Sequence, residues 1–276
     1  MVQSYKQKHE VSDHYDAILI GSGMGCLAAG ACLAKEGKKV LILERHYTAG
    51  GYTHVFKRRG YEWDVGIHYI GEVNREKGVL KQLFDYVTDG ELKWADMGEV
   101  YDRIVIGDKT YHLKKGVQNY KNELKKHFPD DAQAIDDYVD LVFKVSKDSR
   151  SYFAEKAMPK VMQSLAGGKM RKPYLKYATR STLSVLKEIT DNEELIKVLT
   201  GQYGDYGLPP SRSSFVMQAS ISKHYFHGGC FPLGGSSRIV ETVDPIIEAA
   251  GGTLLTNAEV NEVQVKNGKA TGVILA

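Results

Sequence analysis

Apolar runs, glycine turns and long mixed stretches divide the chain into parts with different periods. Asp16-Ala17-Ile18-Leu19-Ile20 is an apolar run that stops at Gly21-Ser22-Gly23, the pattern of a buried strand ending in a glycine turn. Leu27, Ala28, Ala31, Leu33 and Ala34 follow among small residues up to Gly37, which predicts a helix closed by a C-terminal glycine. Val40-Leu41-Ile42-Leu43, ending at Glu44, predicts the next strand. Strand, glycine turn, helix and strand form a βαβ unit, whose strands are parallel and whose crossover is right-handed.

Beyond Gly71 strand-like pieces alternate with long amphipathic helices, among them 130–152 and 211–224. Near the end, 236–250 predicts a helix interrupted at Pro245 and closed by Gly251-Gly252. Strands at 253–255, 259–265 and 270–275 follow, the last two joined by Asn267-Gly268, a two-residue hairpin signal. The sequence stops on that last strand, which reads as a fold cut short.

Composition narrows the class. The chain has 276 residues, 42% hydrophobic and 26% charged, with 28 glycines and 7 prolines. That is a globular composition, sufficient for one large domain or two modest ones at ~100–200 residues each. Lys and Arg number 37 against 34 Asp and Glu, a formal charge of +3, which does not mark a nucleic-acid binder. Cys26, Cys32 and Cys230 give an odd count without metal-site spacing, so neither a disulfide framework nor a bound metal is expected. The polar opening lacks the apolar core of a signal peptide, and no run reaches the ~18 apolar residues of a spanning helix. The expectation is a cytoplasmic protein with at most a peripheral membrane contact.

The glycine turn carries the first chemistry. Gly21 permits a tight turn after the strand, and Gly23 lets backbone approach a pyrophosphate that lies on the next helix's N–H groups. Ser22 and Gly25 belong to the same loop. The third glycine of the dinucleotide fingerprint would fall at Cys26, which predicts a slightly displaced helix. Glu44 lies 21 positions after Gly23, where a carboxylate can accept hydrogen bonds from both ribose hydroxyls of an adenosine. A carboxylate there argues against NADP.

Arg45 and the pair Gly50-Gly51 follow directly. The Glu-Arg…Gly-Gly stretch resembles that of flavoproteins of the large family containing amine oxidases and phytoene desaturases, in which backbone amides meet the FAD phosphates and ribityl chain. The resemblance therefore implies FAD rather than NAD. Asp64-Val65-Gly66-Ile67-His68-Tyr69-Ile70-Gly71 resembles the retinol saturase branch of the phytoene desaturase and carotenoid isomerase family, as do the stretches 201–210 and 228–235. What this resemblance implies is an α/β flavoprotein. Its Rossmann-like FAD-binding domain, a parallel sheet with a small β-meander, would be discontinuous over 1–75 and 225–276, with an inserted, largely helical substrate domain over 76–224. It also implies backbone hydrogen bonds from Val260 to adenine, and a flavin oxidoreductase acting on a C=C bond of a retinoid or carotenoid-like polyene, most readily as a saturase. Desaturases and isomerases belong to the same family, NAD(P)H is a candidate outside electron donor, and members of the family supply a second FAD segment further along the chain. Two rivals stay open: an NAD-dependent dehydrogenase and a non-catalytic FAD-binding fragment.

The resemblance places His68 and Tyr69 near the flavin. A reduction across C=C needs a proton to accompany the hydride, and His can supply one near neutral pH. A His that only hydrogen-bonds backbone in the Gly66–Gly71 loop is the alternative. Asp64 before glycine is read as fixing a turn, and Gly234-Gly235-Ser236 either caps the following helix or borders the ring. Between Lys156 and Lys187 there are eight basic residues and no Asp or Glu, interleaved with apolar side chains. That segment suits adsorption to anionic lipid, from which a lipophilic substrate would be delivered; a solvated helix face is the plainer reading.

Overall fold

The computed structural model describes residues 2–7 and 12–276. Its elements run β1 (Gln3–Ser4), β2 (Ala17–Ile20), α1 (Met24–Lys35), β3 (Val40–Leu43), β4 (Val55–Arg58), β5 (Tyr61–Asp64), α2 (Val79–Val87), β6 (Trp94–Asp96), β7 (Val100–Ile106) and β8 (Lys109–Lys114). Then come α3 (Val117–His127), α4 (Ala132–Lys156), α5 (Lys160–Ala178), α6 (Thr182–Leu186), α7 (Glu193–Leu199), α8 (Phe215–Tyr225), β9 (Cys230–Pro232), α9 (Arg238–Ala249), β10 (Thr253–Thr256), β11 (Val260–Lys266) and β12 (Lys269–Leu275). The chain gathers into two compact units. The first takes residues up to 69, 73–96 and 230–276; the second takes 70–72 and 97–229.

The first unit is built on a parallel sheet in the order β1-β10-β3-β2. All four residues of β3 are buried, as expected for a strand covered on both faces. Alternation along the strands sorts the two covers. Leu19 and Ile42 face α1, where an added Cβ at Gly30 would come within 3.0 Å of Ile42, 3.3 Å of Ile247 of α9 and 3.4 Å of Leu19. Only glycine lets the helix come this close. Ile18, Leu41, Leu43 and Leu255 instead pack against Val260, Val273 and Leu275 of the β11-β12 hairpin. That hairpin turns through Asn267 and Gly268, both with positive φ, 53° and 74°, as a type I′ turn requires.

Two local expectations need correction. The helix over Arg238–Ala249 is not broken at Pro245. Proline removes one donor, but burial of Ile239, Val243 and Ile247 holds the helix through it. Ser236 is not the cap of α9: Ser237 occupies that position, without a side-chain cap bond, and Ser236 Oγ is buried without a hydrogen-bond partner.

The second unit packs α8 against α4, α5 and α6. At its centre the Gln218 amide donates to Leu199 O (2.8 Å), Tyr138 Oη (2.9 Å) and Ser222 Oγ (3.0 Å), while Tyr206 donates to Gln218 Oε1 (2.7 Å). Burial pushes the Tyr138 phenol up to about 12. Tyr225 and Phe226 are buried in the core of this unit. The acid-free segment 156–187 forms the end of α4, then α5 and α6. Glu155, just before it and 1% exposed, pairs with Lys156 (3.2 Å) and Arg171 (3.7 Å) beneath Gly167. Val161 and Leu165 on α5 are 72% and 84% exposed. Among the described residues no helix is long and apolar enough to cross a membrane.

Candidate functional site

Glu44 ties together the turn after β2 and the turn after β3. The Ser22 main-chain N–H and hydroxyl donate to Glu44 Oε2 at 2.8 and 2.7 Å, and the His46 N–H donates to Oε1 at 2.8 Å. Ser22 Oγ in turn accepts the Gly50 N–H at 2.9 Å. Burial pushes the Glu44 carboxyl up, but the His46 N–H, the Ser22 hydroxyl and N–H, and the nearby His46 charge outweigh it and hold the group below the usual carboxylate range. Glu44 is therefore ionised at neutral pH. A carboxylate offers about four acceptor positions, and three are taken within the protein. The pair of ribose bonds expected from sequence is reduced to room for one, at Oε1.

The two glycine turns touch. Gly51 has φ of 56°, and a Cβ there would lie 2.8 Å from Gly23 Cα. Gly21, with φ of 93°, donates its N–H to Leu43 O at 2.7 Å and so stays attached to the sheet. Added Cβ atoms at Gly21, Gly23 and Gly25 would meet nothing within 4 Å. Bare backbone from two chain segments therefore lies side by side at the start of α1, a cradle that any side chain on Gly23 would fill. This fits a diphosphate approached by main-chain N–H groups.

Cys26 does not open the loop. Its thiol donates to Ile20 O at 3.6 Å, drawing the helix start onto the strand end. Burial raises its pKa and the Glu44 charge adds to the effect, so the thiol stays neutral. The close helix–strand approach usually assigned to a third fingerprint glycine falls instead at Gly30. Arg45 is exposed beside Glu44, and Val260 begins the hairpin strand opposite Leu275.

Asp64–Gly66 lies along the second turn. The Gly66 N–H donates to Tyr52 O at 3.1 Å and the Val65 N–H to His54 O at 3.2 Å. Asp64 accepts a backbone N–H, but the bond is long-range rather than within a local turn: it receives the Ser236 N–H at 3.0 Å. His68 is exposed, with its ring 5.0 Å from that of Tyr69. Sequence reading missed Ser22 as the bridge between the turns, and Thr53 and His54 as the residues that hold the second one. Thr53 donates its N–H (3.0 Å) and hydroxyl (2.8 Å) to Gly50 O. A hydroxyl residue three places after a glycine was the available signal.

Residues 19–87 match the model of an NAD(P)-binding Rossmann-like domain. An all-trans-retinol 13,14-reductase of Danio rerio is 40% identical over 95% of this chain and 45% of its own length. A second Danio rerio protein, named an inactive all-trans-retinol 13,14-reductase, is 34% identical over 96% of this chain and 45% of its own. An Oncidium prolycopene isomerase is 25% identical over 98% of this chain and 47% of its own. Among solved structures, a putrescine oxidase bound to putrescine superposes with a TM-score of 0.64 at 19% identity, covering 95% of this chain and 54% of that one. An oxidoreductase of Methanosarcina mazei gives 0.62 at 21%, covering 94% and 55%. The chain thus spans about half the length of the proteins it matches. Its fold is α/β with a Rossmann-like nucleotide-binding domain, and in sequence it is a relative of the all-trans-retinol 13,14-reductases and, at lower identity, of the prolycopene isomerases.

Proposed function

We propose that the chain carries the FAD-binding part of an oxidoreductase that reduces a C=C bond of a lipophilic polyene, retinoid or carotenoid-like. The observation that supports FAD over a lone nicotinamide dinucleotide is the docking of the second glycine turn on the first, through Gly50–Ser22–Glu44 and the Gly51–Gly23 contact. In this reading the first unit holds the cofactor and the second contributes to the substrate side. Main-chain N–H groups at Gly23, Gly25, Cys26 and Gly51 meet the phosphates, while Gly21, Ser22 and Gly50, whose N–H groups are bonded within the protein, shape the loops around them. Glu44 Oε1 takes one ribose hydroxyl, Arg45 adds positive charge, and Val260 meets adenine.

Bound FAD supplies hydride chemistry. The protein's own contribution is to hold the polyene, exclude water and supply the proton, for which His68 is the candidate donor with Tyr69 beside it. A hydride on one carbon and a proton on the other complete the reduction, with NAD(P)H as outside electron source. Desaturation and isomerisation are the neighbouring outcomes, consistent with the prolycopene isomerase likeness.

Likeness extends to a protein named inactive, so turnover has to be measured. The purified chain is expected to bind FAD on titration. After anaerobic reduction it should convert all-trans-retinol to a product two hydrogen masses heavier, and His68→Ala should slow that conversion at least about tenfold without changing FAD affinity. A folded chain that binds no FAD defeats the reading. FAD binding without product leaves the FAD-binding part alone.

The segment 156–187 is proposed to adsorb to anionic lipid through its basic residues and the exposed Val161 and Leu165. Vesicle flotation should recover the protein with anionic but not neutral vesicles; equal recovery with both, or none with either, removes the idea.

A further inference from the structure

The strap from Glu44 to His54 shows how the second glycine turn is held in shape. Gly50 O accepts both the main-chain N–H and the hydroxyl of Thr53. Gly51 O is treated the same way by the next residue: it accepts the His54 main-chain N–H at 3.2 Å and lies within hydrogen-bond reach of His54 Nδ1. Two successive carbonyls are therefore each bound twice, by residues three places on. Because a peptide unit is planar, fixing a carbonyl also fixes the N–H of the next residue. Thr53 sets the Gly51 N–H, and His54 sets the Tyr52 N–H.

Neither of those N–H groups has a protein partner among the described residues, whereas the Gly50 N–H is spent on Ser22 Oγ. The Gly51 backbone has no side chain of its own to hold it. Its φ of 56° is left-handed, and it sits against Gly23 so closely that no Cβ fits. The His54 ring is itself braced: its centroid lies 4.8 Å from that of His46, whose Nδ1 lies 3.2 Å from Thr48 O and 3.3 Å from Thr48 N. The bond to Gly51 O requires hydrogen on Nδ1, present in the Nδ1–H tautomer and in the imidazolium alike.

We infer that His54 is a positioning residue for a diphosphate at the paired glycine turns, acting through the Gly51 carbonyl rather than by touching the ligand; this rests on the FAD reading above. His54→Asn keeps an amide N–H at the δ position and can still donate to Gly51 O, while His54→Leu fills the space without a donor. FAD and ADP are titrated against wild type and both variants, with adenosine as a phosphate-free probe. His54→Leu should weaken FAD and ADP about tenfold, the factor for one net hydrogen bond, and leave adenosine within about twofold. His54→Asn should recover most of the loss.

A wild type that binds FAD alongside a His54→Leu variant of equal affinity overturns the inference. So does a His54→Asn variant no better than His54→Leu, or an equal loss for adenosine. A wild type that binds neither FAD nor ADP overturns the FAD reading itself and this inference with it.

Discussion

Alanine at Gly51 should abolish FAD binding and also weaken the cofactor-free protein. The new Cβ would stand 2.8 Å from Gly23 Cα and 3.4 Å from its nitrogen, both main-chain atoms of the other turn. Relief requires the turns to part by roughly half an ångström or more, since carbon atoms settle at ~3.5–4.0 Å. The left-handed φ adds ~1–2 kcal/mol for any residue with a Cβ, and the overlap about 1–3 kcal/mol more. Losing two charge-assisted main-chain bonds to phosphate, at ~1.5–3 kcal/mol each, lowers affinity about a hundredfold or more. Gly23→Ala separates the two effects. Its Cβ meets nothing in the protein and its φ is −64°, so thermal stability should hold while FAD affinity falls. Full FAD affinity in Gly51→Ala, measured by titration, would show that the contact between the turns does not shape the site.

Alanine at Gly71 should be the most damaging single methyl group in the second unit. A Cβ there would lie 1.9 Å from the His224 carbonyl oxygen and 2.7 Å from its carbon, at the end of α8. The same residues are held together on either side: the Gly71 N–H donates to His224 Nε2 at 2.8 Å, and Lys223 pairs with Glu72 at 3.1 Å. Neither backbone can withdraw without breaking one of these bonds, so the cost should be at least about 3 kcal/mol. Denaturant titration of the variant would measure it. A loss below ~1 kcal/mol would mean that the chain passes His224 differently.

The parts legible in sequence were those whose causes are local. Apolar runs bounded by glycine gave β2, α1 and β3, and Asn267-Gly268 gave the last hairpin, because period and turn chemistry act over a few residues. The glycine turns after β2 and β3 were legible as turns for the same reason. Three kinds of feature were not. Gln3–Ser4 pairs with β10, a strand some 250 residues away, and its polar sequence carries no strand signal. Glu44 was read as facing a ligand, yet most of its bonding capacity joins two turns, which depends on the tertiary approach of Ser22 and His46. Asp64 with Ser236, and Gly71 with His224, are hydrogen-bonded pairs 172 and 153 residues apart, with no spacing rule to announce them. Pro245 misled in the opposite direction, since core burial outweighs the donor it removes.

The short ladder between β6 and β9 has a topological meaning. Trp94 pairs with Pro232, Ala95 with Phe231 and Asp96 with Cys230, antiparallel, and residues 97–229 leave from one strand and return to the other. The two ends of that excursion are therefore a cross-strand pair, about 5 Å apart at Cα. In the language of circuits, 97–229 is covalently wired in at this socket, where a two-residue turn would close the same gap, while residues 70–72 join the same unit through the bonds of Gly71 and Glu72 to His224 and Lys223. Changes in length within 97–229 that leave Lys223 and His224 in place can thus leave the register of β1, β2, β3 and β10 untouched.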